Sequence, residues 1–245
     1  NITMTTEGGV KEVANYTLKL QTATEALNIT PRPLTGNIQN PTELTYSGKT
    51  IPATFKPTNA VGEDKLEFEY TYYKVGGGKI EGEPKDVGSY YVTVALASGG
   101  IMDNYTFAGA SSESTPYTIV PRKLTPEWGS LLHTYGNVAG ATVSFEGQYG
   151  EGDNYESLLL TWNYEPTAGT EYAGEGVPVN AGTYTVTITL GNKNYCFGGS
   201  EGIYEYTSSK ETYTIKKAEL TLTANPVEVT YGDLIDTDLY GFDHS

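Results

Sequence analysis

The stretch KDVGSYYVTVAL (residues 85–96) returns as VNAGTYTVTITL (residues 179–190), and this recurrence constrains the fold more than any other feature. Within it Tyr90, Val92, Val94 and Leu96 alternate with Tyr91, Thr93 and Ala95. Tyr184, Val186, Ile188 and Leu190 alternate with Thr183, Thr185, Thr187 and Thr189. A period of two with hydroxyl side chains on the other face predicts a half-buried strand. Gly88 and Gly182 precede the tyrosines, where a turn, bulge or close backbone approach calls for glycine.

Other words keep the same beat. Asn-Tyr occurs at Asn15-Tyr16, Asn104-Tyr105 and Asn194-Tyr195, spaced by 89 and 90 residues. Thr-Tyr occurs at Thr45-Tyr46, Thr134-Tyr135 and Thr230-Tyr231, and NITPRPLT, TIVPRKLT and TIKKAELT bring Ile29, Ile119 and Ile215 into register. A repeat of about 90 residues has the size of one immunoglobulin-like β-sandwich. The phase gives two full copies, residues 30–119 and 120–215. Residues 1–29 read as the end of a preceding copy, in which Ile2 and Met4 stand at the inward positions of Val92 and Val94. Residues 216–245 read as the start of a following one, so the chain is expected to be a window on a longer array.

A second strand pair precedes the first. Leu66, Phe68, Tyr70 and Tyr72 alternate with Glu67, Glu69 and Thr71, and Leu158, Leu160, Trp162 and Tyr164 alternate in the same way. Phe68 and Trp162 lie 94 residues apart, as Gly88 and Gly182 do, which predicts one shared core position. KVGGGKIEGEP, GQYGEGDNYES and EPTAGTEYAGEGVP are loop compositions, and no segment of ten residues has helical periodicity with caps. The expected fold is all-β, in tandem Ig-like sandwiches, with a β-grasp module as the alternative; one helix across each sheet would favour the latter. Partial copies at either end leave strand edges open, so they are expected to pair with each other, a neighbouring molecule or the adjacent repeat.

The order of these words carries a resemblance. LTYSGKTI or HTYGNVAGATV, then DVGSYYVTV or NAGTYTVTI, then NYTF or NYCF, then YTIVPRKLT or YTIKKAELT, is similar to the MBG/YDG-type repeats of bacterial surface proteins. It covers essentially the whole chain. Such Ig-like modules stand in tandem in large adhesins, and the resemblance implies an extracellular stalk or adhesin module on a bacterial cell surface, without catalytic residues to carry over.

Charge and composition narrow the partners. Asp and Glu number 30 against 15 Lys and Arg, a net charge of −15, which disfavours nucleic acid and anionic membrane surfaces. No stretch approaches the roughly 20 apolar residues of a membrane helix. The single Cys196 excludes an internal disulfide framework and a cysteine-based zinc cluster. With 21 Tyr against 6 Phe, the cores are expected to use tyrosines whose hydroxyl ends stay wet.

Candidate chemistry is sparse. His133 and His244 lack ligand neighbours, no strand-to-helix elbow that would carry a nucleophilic serine is read, and VGGGK (75–79) lacks the spacing of a phosphate loop. Glu67, Glu69, Glu151, Asp153 and Glu156 fall on outer faces or in Gly-rich loops, which suits solvated surface better than a glycosidase pair. Clustered oxygens make Asp153, Glu156, Asp236 and Asp238 candidates for a structural Ca²⁺; no other cofactor is expected. Lys123 or Lys217 with Asn104 or Asn194 would suit a stalk-type isopeptide bond, against which Pro33 occupies the position of Lys123 in the first copy. Tyr73, Tyr149, Tyr155 and Tyr172, with Tyr91 on an outer face, are candidates for stacking on sugars. Gly88, Tyr90, Gly182, Tyr184, Asn104, Tyr105, Asn194 and Tyr195 read as structural.

The functional expectation is a stalk. Pro31, Pro33 and Pro121 restrict the junctions and would stiffen a rod of stacked repeats that projects a binding or catalytic domain. The expected partners are neighbouring repeats of the same chain. A glycan- or host-protein-binding module, and an accessory region of a secreted glycoside hydrolase, are the alternatives.

Overall fold

The computed structural model describes residues 28–107, 113–172, 174–198, 207–224, 226, 228–232 and 242–244. The chain is all-β, and among the described residues its helical structure is two 3-10 turns, Gly100–Asn104 and Glu156–Leu158. No helix lies across a sheet there, so the feature that would mark a β-grasp module is missing from the described residues.

Repeat 1 holds seven short strands in three small sheets. β4 (Phe68–Lys74), β5 (Gly88–Leu96) and β7 (Tyr117–Ile119) form an antiparallel sheet in the order β4-β5-β7. β1 (Arg32–Pro33) pairs in parallel with β6 (Tyr105–Thr106), and β2 (Gly36–Gln39) pairs antiparallel with β3 (Thr54–Pro57). Repeat 2 writes the same pairings. β8 (Arg122–Leu124) pairs with β14 (Tyr195–Phe197), and β9 (Glu127–Gly129) with β11 (Thr142–Ser144). Its larger sheet runs β10 (Leu132–Thr134), β15 (Ser208–Lys216), β13 (Gly182–Thr189), β12 (Thr161–Pro166). The β10–β15 pairing is parallel, and repeat 1 has its counterpart in the parallel bridge Thr45↔Val120.

The expected alternation is what drives the layers together. On β5, Tyr90, Val92 and Val94 are buried, and on β13 so are Tyr184, Val186 and Ile188, followed by Leu190. Each fully buried aliphatic side chain contributes about 1.5–3 kcal/mol. Gly182 starts its strand because a Cβ there would strike the Thr170 side chain; a Cβ at Gly88 would lie 3.2 Å from the Tyr90 hydroxyl oxygen. Close approach, rather than a bulge, explains the glycine at 182.

Three tyrosines form the same nest in both repeats, Tyr72, Tyr90 and Tyr117 in one and Tyr164, Tyr184 and Tyr213 in the other. Their hydroxyls meet backbone groups. Tyr90 donates to Asp86 O (2.9 Å) and Tyr184 to Asn180 O (2.8 Å), each four residues back. Tyr117 donates to Ile51 O and Tyr213 to Ala139 O. Tyr72 donates to Ala53 O, whereas the Tyr164 hydroxyl accepts from Ala141 N. Tyrosine suits these positions better than phenylalanine because each ring end meets a backbone polar group.

Two expectations need correction. Tyr70 pairs with Val94 as Trp162 pairs with Ile188, so Tyr70, not Phe68, stands where Trp162 stands. Phe68 pairs instead with Leu96. A shift of two residues keeps the inward face inward, so alternation by itself accepts either alignment. The last segment pairs locally: β16 (Leu222–Ala224) joins β17 (Phe242–His244) antiparallel, with Ala224 opposite Phe242 as Ile38 is opposite Phe55 and Trp128 opposite Val143. Its register matches the β2–β3 and β9–β11 pairings of the two repeats. The preceding copy expected over residues 1–29 lies, as far as residue 27 and including Ile2 and Met4, outside the described residues; Ile29, whose equivalents Ile119 and Ile215 are buried, is 85% exposed.

Candidate functional site

The densest polar constellation among the described residues lies where repeat 1 meets repeat 2. The chain crosses with no slack. Val120 N donates to Leu44 O and Tyr46 N to Val120 O, holding the end of β7 to repeat 1, and two residues later Arg122 N donates to Asn194 O in repeat 2. Only Pro121 stands between the two anchors. The strand bridge at Thr45 thereby aims Tyr46 across the joint.

Tyr46 is 2% exposed. Its ring meets Tyr195 edge-on, with centroids 5.4 Å apart and planes at 78°. Its hydroxyl donates to Asp153 Oδ2 at 2.8 Å, and the Tyr195 hydroxyl donates to the same oxygen. Gly150 N in turn donates to the Tyr195 hydroxyl, 2.9 Å. Burial, then the hydrogen bond to Asp153, raises the Tyr195 hydroxyl to about 12 and lifts Tyr46 as well. Both oxygens therefore keep their protons at neutral pH and act as donors to one carboxylate, a charge-assisted arrangement stronger than a neutral hydrogen bond.

The turn after Tyr46 closes the contact. Glu151 N donates to Ser47 O at 2.7 Å, and Gly48 takes φ +79°, so close to Glu151 that a Cβ would run into its backbone. Lys49 Nζ pairs with Glu151 Oε2 at 2.8 Å, both side chains two-thirds exposed. On the other side Val87 N donates to Asn194 Oδ1 and Asn194 Nδ2 donates to Asp86 Oδ1, each 2.9 Å.

These contacts reassign several sequence candidates. Asp153 is a hydrogen-bond acceptor between two tyrosines, and Glu156 heads a 3-10 turn. Asp236 and Asp238 lie outside the described residues, among which no group of three His, Cys, Asp or Glu is gathered as for a metal ion. Asn194 holds the joint, and Asn104 ends a 3-10 turn. Lys123 sits opposite Cys196 on β8. His133 lies against Tyr213 with the rings tilted by 42°, and its Nε2 meets Ser130 O; His244 lies on β17. VGGGK is the turn that follows β4, with Lys74 N donating to Gly78 O.

The tyrosine candidates separate. Tyr73 and Tyr91 are cross-strand partners, stacked with centroids 5.0 Å apart and planes at 11°. Tyr155 faces Phe145, Tyr149 packs against the core, and Tyr172 lies edge-on to Tyr184 while donating to Gly176 O. The four do not form one platform.

Asp64 and Gly150 were not singled out by the sequence, and Tyr46 entered only as a marker of the repeat. A signal existed: Asp64 follows Tyr46 by 18 residues and Asp153 follows Tyr135 by 18. The structure shows why. In repeat 1 the Tyr105 hydroxyl donates to Asp64 Oδ2, Val61 N donates to that hydroxyl, and Asp64 N donates to Val61 O. Repeat 2 has the same triangle in Tyr195, Asp153 and Gly150.

No family model matches the chain, and no curated protein matches it. Among solved structures, the three N-terminal domains of the bacteriophage RB49 Highly Immunogenic Outer Capsid protein (Hoc) are 17% identical, the match covering 86% of this chain and 69% of that one at a TM-score of 0.30. A likeness at that TM-score carries no argument about this chain.

Proposed function

We propose that this chain is a spacer: a tandem-repeat stalk region of a large secreted or wall-attached bacterial surface protein of the MBG/YDG type, holding a binding or catalytic domain away from the cell and performing no catalysis itself. The single observation that supports this reading is the joint. A spacer must resist bending where its units meet, and here one proline separates backbone hydrogen bonds to either repeat while Tyr46 is buried against Tyr195 and Asp153. Its partners are the repeats before and after it. Small-angle X-ray scattering of the chain tests the reading: a single rod-like arrangement of two repeats, insensitive to added glycans, is expected, and free hinging between compact repeats refutes it.

A second reading has its own observation. The Tyr73–Tyr91 stack lies on the outer face of repeat 1, whereas repeat 2 places Glu165 opposite Thr185 at the matching pair. The fold therefore does not require the aromatic pair, which favours a glycan-stacking role confined to repeat 1. Glycan-array binding by the chain, lost in Tyr91→Ala, would establish it; an empty array would remove it.

A further inference from the structure

Both repeats carry the acceptor triangle, yet they differ at one corner. A Cβ built on Gly150 would lie 3.0 Å from Tyr46 Cε1, 3.0 Å from Ser47 C and 3.0 Å from Gly48 N. All three atoms belong to the turn arriving from repeat 1. Gly150 has no positive φ, so its backbone does not demand glycine; the incoming turn does. The matching corner in repeat 1 is Val61, which makes the same hydrogen bond to Tyr105 and the same turn to Asp64, and it is half exposed.

We propose that this corner residue is the address of the joint: a glycine lets a repeat accept the Tyr-x-Gly turn of the repeat before it, and a branched residue refuses it. Repeat 2, with Gly150, locks to repeat 1. Repeat 1 has the tyrosine and the aspartate to receive such a turn but presents Val61, whose Cβ alone would stand at the distance that Tyr46, Ser47 and Gly48 occupy, with two methyl groups beyond it. The array thus contains stiff joints and unlatched joints, chosen by one residue. Conversely, Tyr135, at the place of Tyr46, has its backbone N–H bonded to Lys216 O as Tyr46 has to Val120 O, while its side chain is 54% exposed. Its turn carries Gly136 directly after the tyrosine and Asn137 in the place of Gly48, so it does not present the Tyr-x-Gly form.

The inference rests on the spacer reading for its use but not for its geometry, and its test is separate from glycan binding. Small-angle scattering is recorded for the full chain as wild type, Gly150→Val, Tyr46→Ala and the double variant. Each single variant is expected to broaden the distance distribution between repeats, and the double variant to broaden it no further, because valine acts by expelling Tyr46. A Gly150→Val profile that superposes on wild type, or a double variant whose effect is the sum of the two, overturns the proposal. Emission from Trp128 and Trp162, the two tryptophans of the chain, both in repeat 2, reports whether that repeat stays folded. If valine shifts this emission to the red, Gly150→Ala, which adds one methyl at the same three contacts, is judged by the same outcomes. Val61→Gly is the control and is expected to leave the joint between repeats 1 and 2 unchanged.

Discussion

Repeats 1 and 2 agree where they face their own cores and diverge where they face something else. The nest of Tyr72, Tyr90 and Tyr117 is matched by that of Tyr164, Tyr184 and Tyr213, down to hydroxyls placed on backbone groups four residues back or across the layer. At the ends the match fails: Tyr46 is 2% exposed and Tyr135 is 54% exposed. On the outer face, Tyr73 and Tyr91 give way to Glu165 and Thr185. A repeat conserves its core because a packed interior tolerates little change in volume. Its ends and outer face answer to neighbours, and each copy has different ones.

The largest expected effect tests the shared core. Burial raises Tyr72 in repeat 1 and Tyr213 in repeat 2 to about 12, against an ordinary 10 in the unfolded chain. A raised tyrosine stabilises the folded state fully below pH 10 and loses that contribution as pH climbs through 12. Both repeats should therefore unfold together in that window, with a fraction of the tyrosines ionising only on unfolding in a spectrophotometric titration. A repeat that survived pH 12 would break the equivalence of the two nests.

Next comes the acceptor. Asp153→Ala strands two tyrosine hydroxyls, those of Tyr46 and Tyr195, whereas Asp64→Ala strands only Tyr105. Leaving a buried donor unpaired costs about 1–3 kcal/mol, so urea unfolding should show the larger loss for Asp153→Ala. Equal losses would mean that Tyr46 adds nothing to the joint. Smaller again is Tyr73→Ala, which removes a stacked cross-strand pair and should cost repeat 1 about 0.5–1.5 kcal/mol while leaving repeat 2 untouched. Lys49→Ala comes last. Its ion pair with Glu151 is two-thirds exposed on both sides, where solvent screens the attraction, so the melting temperature should barely move and any change should vanish in high salt.

Much of the fold was legible. Alternation marked β5 and β13, the beat of Asn-Tyr and Thr-Tyr marked the copies, and the loops read as loops. What misled was symmetry of period two, which let Phe68 stand in for Tyr70 until strand pairing set the register. The site was hidden for another reason. Asp153 reads as one more loop carboxylate, and Pro121 as the source of stiffness, whereas the joint is closed chiefly by a tyrosine lying 107 residues from that aspartate.

The sequence alone determined what is local and periodic: all-β architecture, inward and outward faces, a repeat near 90 residues, and a net charge of −15. Those follow from side-chain alternation and composition, which need no partner to be expressed. Only the tertiary structure decided that buried tyrosines end on backbone groups, that Asp153 serves two hydroxyls, and that Gly150 is small because Tyr46 arrives there. Each depends on two distant segments meeting within hydrogen-bond or contact range, and such a distance is a property of the packed layers, not of either segment.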